Sequence, residues 1–419
     1  SRRIAPNSLF LKIMIIKNAK IINSEKPVSI IIENEKIKKI ETNNDFENYK
    51  DNNIIDANYN YVLTGIIDPH THMREPGPTH KEDFNSGSKA AARGGITTFL
   101  DMPNTIPNTI TKENLIQKKL MMTKKSYVDY GFHFGGSKTD NSQDIKSIKD
   151  KAASTKIFLN ASTGNMLIED NKILEKLFES SKIVSVHAED KMVDKAIEIA
   201  KRTKTILYLC HLSLSSEIDS LKKAKDSGMK IYGEATLHHL FLNTSDINEK
   251  NKKLLRMKPE LKEKSDNEAL WKAIKDKTID TIGTDHAPHL LTEKLEKLTF
   301  GIPSIEHSLE LMLKKVKDST IDFKLLTKIM SENSSKIFGI KNKGILKEGY
   351  DADFVIIDLN DESEIIEKEI ITKSAWSPYI GFKRGGRVLM TILRENIVYK
   401  KDNSKDIFYS GLGKEISYY

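Results

Sequence analysis

A single cysteine, Cys210, in 419 residues leaves the chain without an intramolecular disulfide, and a fold held by apolar burial in a reducing, cytoplasmic compartment is expected. No apolar run reaches the roughly 18 residues that a membrane helix needs, so no membrane span is expected. Charge of one sign is also missing. The 67 basic and 59 acidic residues leave a net +8, but the two signs are interleaved and no aromatic-studded basic stripe appears. That pattern reads as a solvated Lys-rich surface and argues against a nucleic-acid partner. Internal repeats are absent, and the abundance of Lys, Ile and Asn runs through the whole chain, so no segment reads as low complexity.

What is present is chemistry concentrated in two short stretches, Asp68-Pro-His70-Thr-His72-Met-Arg74-Glu-Pro-Gly77 and Gly283-Thr-Asp285-His-Ala-Pro-His289. They read as two halves of one metal site. An apolar run, Tyr61 to Ile67, delivers two imidazoles one residue apart, and residues i and i+2 of a strand face the same side. Asp285 ends a second apolar run, and carboxylate with imidazole suits zinc or a related metal.

A lone His-x-His recurs by chance, so the placement of the other candidates matters. Short β-rich runs fall near 62–68, 96–102, 129–135, 155–160, 182–188, 206–212, 230–236 and 279–285. Helical patterns lie between them, including Lys81 to Arg93, Asn171 to Ser181, Asp190 to Arg202 and Ser215 to Ser227. Repeated βα units predict a parallel sheet closed as a TIM (β/α)8 barrel, whose chemistry sits at the C-terminal strand ends. His70, His72, Lys156, His187, His211 and Asp285 all lie in or at the ends of these runs.

Lys156 is the unusual member. An ammonium cannot bind a metal, but a lysine buried beside cations loses its proton more readily. The neutral amine can add carbon dioxide to become a carbamate that bridges two metals. The other reading is a side chain that snorkels to solvent.

Both stretches resemble the signature motifs of the dihydroorotases, within the amidohydrolase superfamily. The likeness runs almost without break through GIIDPHTHMREPGPTHKEDFNSGSKAAARGGITTFLDMPNT, Gly65 to Thr105, and continues in Val186-His-Ala-Glu189, Cys210-His-Leu-Ser213, Gly233 to Leu242 and Pro259-Glu-Leu261. The short span between His187 and His211, together with Lys156, is closest to the compact animal-type (type I) enzyme. The resemblance implies two zinc ions per chain: His70, His72 and Asp285 on one, His187 and His211 on the other, and N6-carboxylated Lys156 bridging them. It implies a hydroxide shared by the metals as nucleophile and Asp285 as general base, then general acid. The reaction is the reversible interconversion of dihydroorotate and N-carbamoyl-aspartate in pyrimidine biosynthesis.

Arg74, Asn104 and His289 are implied as substrate ligands, Arg74 suiting a carboxylate bidentately. Lys258 stands where relatives carry Arg or Asn, which keeps or adds positive charge without the guanidinium fork. Ser162 and Thr163 belong to a loop that would cover the substrate, with Gly164 as its hinge. A homo-oligomer is expected, and association with a separate aspartate transcarbamoylase is a possible partnership. The competing readings are a hydantoinase or allantoinase, and a non-catalytic structural partner of aspartate transcarbamoylase. Arg74, Asn104 and His289 argue against the first and the full ligand set against the second.

The remaining histidines, His80, His133, His238, His239, His286 and His307, read as packing or surface residues, with His239 and Glu234 marked as nearest the active rim. Cys210 is expected on the face of its strand opposite His211, as a structural thiol. Around the barrel, 63–342, residues 14–62 and 343–401 are expected to build one small β-sandwich, with 402–419 a tail and 1–13 a tag or extension before Met14.

Overall fold

The computed structural model describes residues 13–42, 53–162, 164–403, 405–409 and 411–419. Residues 1–12, nearly all of the expected extension, lie outside the described residues. Among the described residues, parallel pairing follows chain order from Ile66–Thr71 through Ile96–Asp101, Asp129–Phe132 with its continuation Phe134–Gly135, Thr155–Phe158, Ile183–His187, Ile206–Leu209 and Ile231–Thr236 to Thr281–Gly283. The ends meet where Thr71 bridges His286 and the Thr284 amide donates to Asp68 Oδ1 at 3.0 Å. This is the expected TIM barrel. Its strands are buried on both faces, which is why they read as near-continuous apolar runs without alternation.

The helices begin where capping side chains satisfy their first amides. Asp83 and Ser86 form a capping box that starts Phe84–Arg93. Asp170 accepts from Lys172 and Ile173 to start Asn171–Ser180. Lys191–Thr203 turns Val193, Ala196, Ile199 and Ala200 inward, one stripe at helical spacing.

The run near 62–68, expected as one strand, is divided between two. Tyr61–Thr64 pairs antiparallel with Phe354–Ile357, while Ile66–Thr71 opens the barrel. Gly65 sits at the break, where an added Cβ would fall 2.1 Å from Thr97 Oγ1, so only glycine permits this approach. The sheet containing Tyr61–Thr64 is otherwise built from C-terminal strands, Phe354–Asp358, Arg387–Leu393, Asn396–Asp402 and Lys405–Phe408. A second sheet takes Ile13–Ala19, Val28–Glu33, Lys36–Glu41 and Asn53–Asp56 from the N-terminal side. Val62, Phe354 and Ile392 share a core with Ile16, Ile30 and Ile32 between them.

Lys343 ties this layer to the barrel, with Nζ 2.7 Å from Asp129 Oδ2 and 2.5 Å from Asp353 Oδ2. The last residues pack beneath the barrel, where Glu415 bridges Tyr130 and Ile416 is buried with Leu100 and Cys210. No helix among the described residues is long and apolar enough to cross a membrane.

Candidate metal centre

The rim is shaped by strands that stop early. The strand from Ile66 ends at Thr71, yet His70 and His72 still present their rings together, with centroids 5.4 Å apart. Beyond it the Met73 amide donates to Asp101 Oδ1 at 2.7 Å, and Lys118 braces that carboxylate at 2.5 Å. Arg74 then takes a left-handed backbone, φ 61°. It therefore reaches the site through a turn and not through strand alternation. His211 at φ 38° and Asp285 at φ 44° share this uncommon conformation. Three site residues thus sit on strained backbone held by the surrounding packing.

The His70, His72 and Asp285 group is tightly specified. Nε2 of His70 and of His72 lie 3.3 and 3.1 Å from Asp285 Oδ1. Their other nitrogens face acceptors: His70 Nδ1 donates to Glu234 Oε1 at 2.8 Å, and His72 Nδ1 donates to Asn104 Oδ1 at 2.9 Å. Burial holds both imidazoles well below their ordinary pKa, opposed for His70 by Asp285. Each ring is therefore neutral with its proton on Nδ1. Two lone pairs and a carboxylate oxygen consequently converge with no proton between them, an arrangement that calls for a cation.

The second group is His187 and His211. His187 Nδ1 and His211 Nε2 are 2.8 Å apart, and burial lowers both pKa values. The outer atoms, His187 Nε2 and His211 Nδ1, are buried without a hydrogen-bond partner among the described residues. Lys156 lies between the groups in charge terms, depressing the imidazoles around it. It is buried rather than snorkelling, and its Nζ donates to Cys210 Sγ at 3.0 Å.

Cys210 thus corrects the expectation that it faces away. The strand ends at Leu209, and the left-handed turn at His211 lets consecutive side chains enter the barrel. The Cys210 sulfur forms with His70 and Glu234 a second buried group whose ligand atoms lie within 4.8 Å of one another. Burial raises this thiol to about 12.

A cavity above these groups is lined by His70, His72, Lys156, His187, His211, Asp285, Ser162 and Lys258, with Phe300. Lys258 also donates to Glu260 Oε1 at 3.0 Å. Arg74, Asn104 and His289 do not line this cavity: Asn104 orients His72, and Arg74 Nη2 lies 3.1 Å from His289 Nε2. Thr163 lies outside the described residues.

Glu234, marked for its place in the strand, is fully buried; it also accepts from the His211 amide at 3.0 Å and from Tyr208 at 2.8 Å. Burial raises its carboxyl to about 7. His238, read as packing, lines the cavity, whereas His239 bonds Thr236 and the Pro259 carbonyl away from it. His133 bonds Ser154 and the Pro69 carbonyl, a structural role as expected. Tyr208 and Asp68 were not singled out in the sequence. Asp68 inside the Asp-Pro-His signature carries the signal that could have found it, since its Oδ1 accepts the amides of His70 and Thr284.

Neutral imidazoles, a carboxylate and a buried lysine at the C-terminal rim of a TIM barrel define a metal-dependent hydrolase centre. The chain belongs to the amidohydrolase family, whose family model matches residues 61–398. It is 36% identical over 432 aligned positions to a dihydroorotase of Methanosphaera stadtmanae, covering 93% of this chain and 97% of the relative. A dihydroorotase of Pyrococcus abyssi is 37% identical over 359 positions, 81% of this chain and 84% of the relative. Among solved structures, the L-hydantoinase (dihydropyrimidinase) of Arthrobacter aurescens superposes with a TM-score of 0.88 at 24% identity, covering 96% of this chain and 99% of that one. A D-hydantoinase from Thermus sp. gives 0.86 at 26% identity, covering 97% and 99%.

Proposed function

We propose that the chain is a dihydroorotase of type I, interconverting N-carbamoyl-L-aspartate and L-dihydroorotate plus water in de novo pyrimidine biosynthesis. The carrying observation is the convergence of His70, His72 and Asp285, with His187 Nδ1 and His211 Nε2 2.8 Å apart in the same cavity wall, in a chain 36–37% identical to dihydroorotases over most of its length. His70, His72 and Asp285 would hold one zinc ion, His187 and His211 a second, and carboxylated Lys156 would join them. The ammonium of Lys156 gives up one proton to become an amine, and the amine adds carbon dioxide with release of a second proton, which exchanges a cation for an anion among the ligands. A weak thiol acceptor at 3.0 Å leaves an ammonium poorly served and favours this exchange. Bound zinc supplies a nucleophile from water near neutral pH and polarises the scissile carbonyl.

The chain's own groups do the rest. Asp285 takes the proton of the attacking water and returns it to the departing ring nitrogen, as a general base and then a general acid. Glu234 and Asn104 keep the His70 and His72 rings turned inward. Arg74 and Lys258 provide the positive field for the substrate carboxylate, His289 and Asn104 contribute neutral hydrogen-bonding groups, and Ser162 with Thr163 closes over the ring. The expected sandwich, 14–62 with 343–401, frames the barrel, 63–342. A homo-oligomer, a cytoplasmic location, the animal-type subtype and contact with aspartate transcarbamoylase belong to the same proposal.

A second reading, a hydantoinase-type enzyme, is favoured by the solved structures of that kind that share the fold. Elemental analysis with dihydroorotate and hydantoin hydrolysis, on wild type and Lys156→Ala with and without a short-chain carboxylic acid, decides between them. Near two zinc ions per chain, turnover of dihydroorotate alone and acid rescue of the variant support the proposal. Turnover of hydantoin alone supports the second reading. Neither metal nor turnover, with a transcarbamoylase added, leaves the structural-partner reading.

A further inference from the structure

Part of the cavity wall comes from two segments distant in sequence, Met257 and Lys258 on one, Phe300, Gly301 and Ile302 on the other. Both are held by a buried lysine that does not itself line the cavity. Lys294, on helix Leu291–Glu296, is fully buried. Its Nζ donates to the Arg256 carbonyl at 2.7 Å, to the Gly301 carbonyl at 3.0 Å and to the Thr299 carbonyl at 3.3 Å. An ammonium has three N–H donors and no acceptor, so these three carbonyls use all of its capacity. Burial, with Arg256 and Arg74 in range, lowers this amine to about 7, whereas three carbonyl dipoles aimed at it favour the charged form.

Each segment has a further fixed point next to that contact. The Gly301 amide donates to the same Arg256 carbonyl at 3.0 Å, and the Ala287 amide donates to the Ile302 carbonyl at 2.9 Å. Gly301 takes φ 127°, and a Cβ there would fall 2.5 Å from the Ala287 carbonyl oxygen, so this part of the wall lies directly on the signature stretch. Across the joint, Lys258 Nζ stands 5.4 Å from the centre of the Phe300 ring and donates to Glu260 Oε1 at 3.0 Å. The Lys258 ammonium thus rests on an aromatic face that belongs to the other segment.

We propose that Lys294 is a positioning residue for substrate recognition: by joining the two segments it sets the Lys258 ammonium over Phe300, where it meets an anionic group of the substrate. Without Lys294 the Arg256, Thr299 and Gly301 carbonyls lose their shared donor, the two segments loosen, and Lys258 gives up its defined place in the wall. That the anion is a carboxylate rests on the dihydroorotase reading, whereas the joint belongs to the protein without substrate.

The test reads both. In the full zinc-loaded chain, hydrogen exchange at the Gly301 amide should quicken roughly tenfold or more in Lys294→Met, while strand Ile183–His187 exchanges as in the wild type. For dihydroorotate, KM should rise roughly tenfold, with kcat changed less than about threefold. In a Lys258→Met background the same substitution should change KM less than about twofold, because a residue that acts through Lys258 then has nothing left to position. Lys294→Gln, which keeps an N–H pair in the same place, should fall between the two and takes over the test if Lys294→Met does not fold. Unchanged exchange at Gly301 in the folded variant overturns the joint. An unchanged KM, or a rise just as large when Lys258 is absent, overturns the positioning role. If the wild type hydrolyses hydantoin and not dihydroorotate, the functional reading falls and the carboxylate with it, and exchange at Gly301 still decides whether Lys294 joins the segments.

Discussion

The two halves of the metal centre are built to different standards. On the His70 and His72 side, every outer nitrogen has an assigned acceptor, Glu234 or Asn104, and the inner nitrogens converge on Asp285. On the His187 and His211 side, neither outer nitrogen has a hydrogen-bond partner among the described residues, the nearest carboxylate oxygen to His187 Nε2 being Glu189 Oε1 at 3.4 Å. Outer partners fix ring orientation and tune ligand basicity. The first half is therefore pre-organised, and the second depends on whatever joins it to the first. Lys156, adjacent to Cys210 and buried between them, is the group positioned to do so.

The largest expected effect comes from the residue that belongs to the better-built half and to the chemistry as well. Asp285→Asn keeps the shape but removes the base, and kcat for dihydroorotate should fall on the order of a thousandfold. Metal content by elemental analysis should fall less than the rate does. Loss of metal in proportion to the rate would mean that Asp285 is a ligand only.

Chelation separates the halves directly. Dialysis against a graded chelator should remove the ion at His187 and His211 first, giving two steps in metal content, with activity lost at the first. Lys156→Ala should take the protein to the end of that first step without chelator. A single concerted step would erase the distinction between the halves.

Outer partners provide a finer probe. Glu234→Gln replaces one acceptor oxygen on the ring of His70, and metal affinity of the first half should fall about 10- to 100-fold. Glu189→Gln, whose carboxylate only approaches His187 Nε2 at 3.4 Å, should change affinity of the second half less than about threefold. Competition with a chromophoric chelator reads both, and equal losses would contradict the asymmetry.

The sequence carried the barrel and the residues that gather at its rim because both depend on local signals. Strand runs bounded by helical periodicity place His187 at the end of Ile183–His187 regardless of tertiary detail. The partners that distinguish the halves were harder to read. Glu234 could be suspected from its strand, but its bond to His70 joins residues 164 positions apart. Cys210 was misplaced because alternation was carried past Leu209, where the backbone turns left-handed at His211. Arg74 arrived beside His289 for a reason that strand spacing does not contain, a turn braced by Asp101 and Lys118. Gly65 hid a change of sheet inside one apolar run, since a glycine permits a close approach without announcing it.

The smallest effect concerns protons. Burial holds His70, His72 and His211 well below the ordinary imidazole pKa, and His187 below it, in the metal-free chain. An unfolded chain binds those protons near pH 6.5. Between that value and the lower folded values the unfolded state holds more protons, so stability falls as pH drops through about 6.5 and is fully present above it. Each ring contributes at most about 1.4 kcal/mol per pH unit in that window. Thermal unfolding of the chelated protein should therefore show a Tm that is level above pH 7 and declines below 6.5. Zinc-loaded protein should decline more steeply, because each proton that enters an imidazole also displaces a ligand bond. His187→Gln should flatten the slope less than His70→Gln does, since burial holds His70 well below its ordinary pKa while Glu189 opposes the lowering at His187. Equal slopes for the two variants would show that the halves differ in hydrogen bonding without differing in how firmly each excludes a proton.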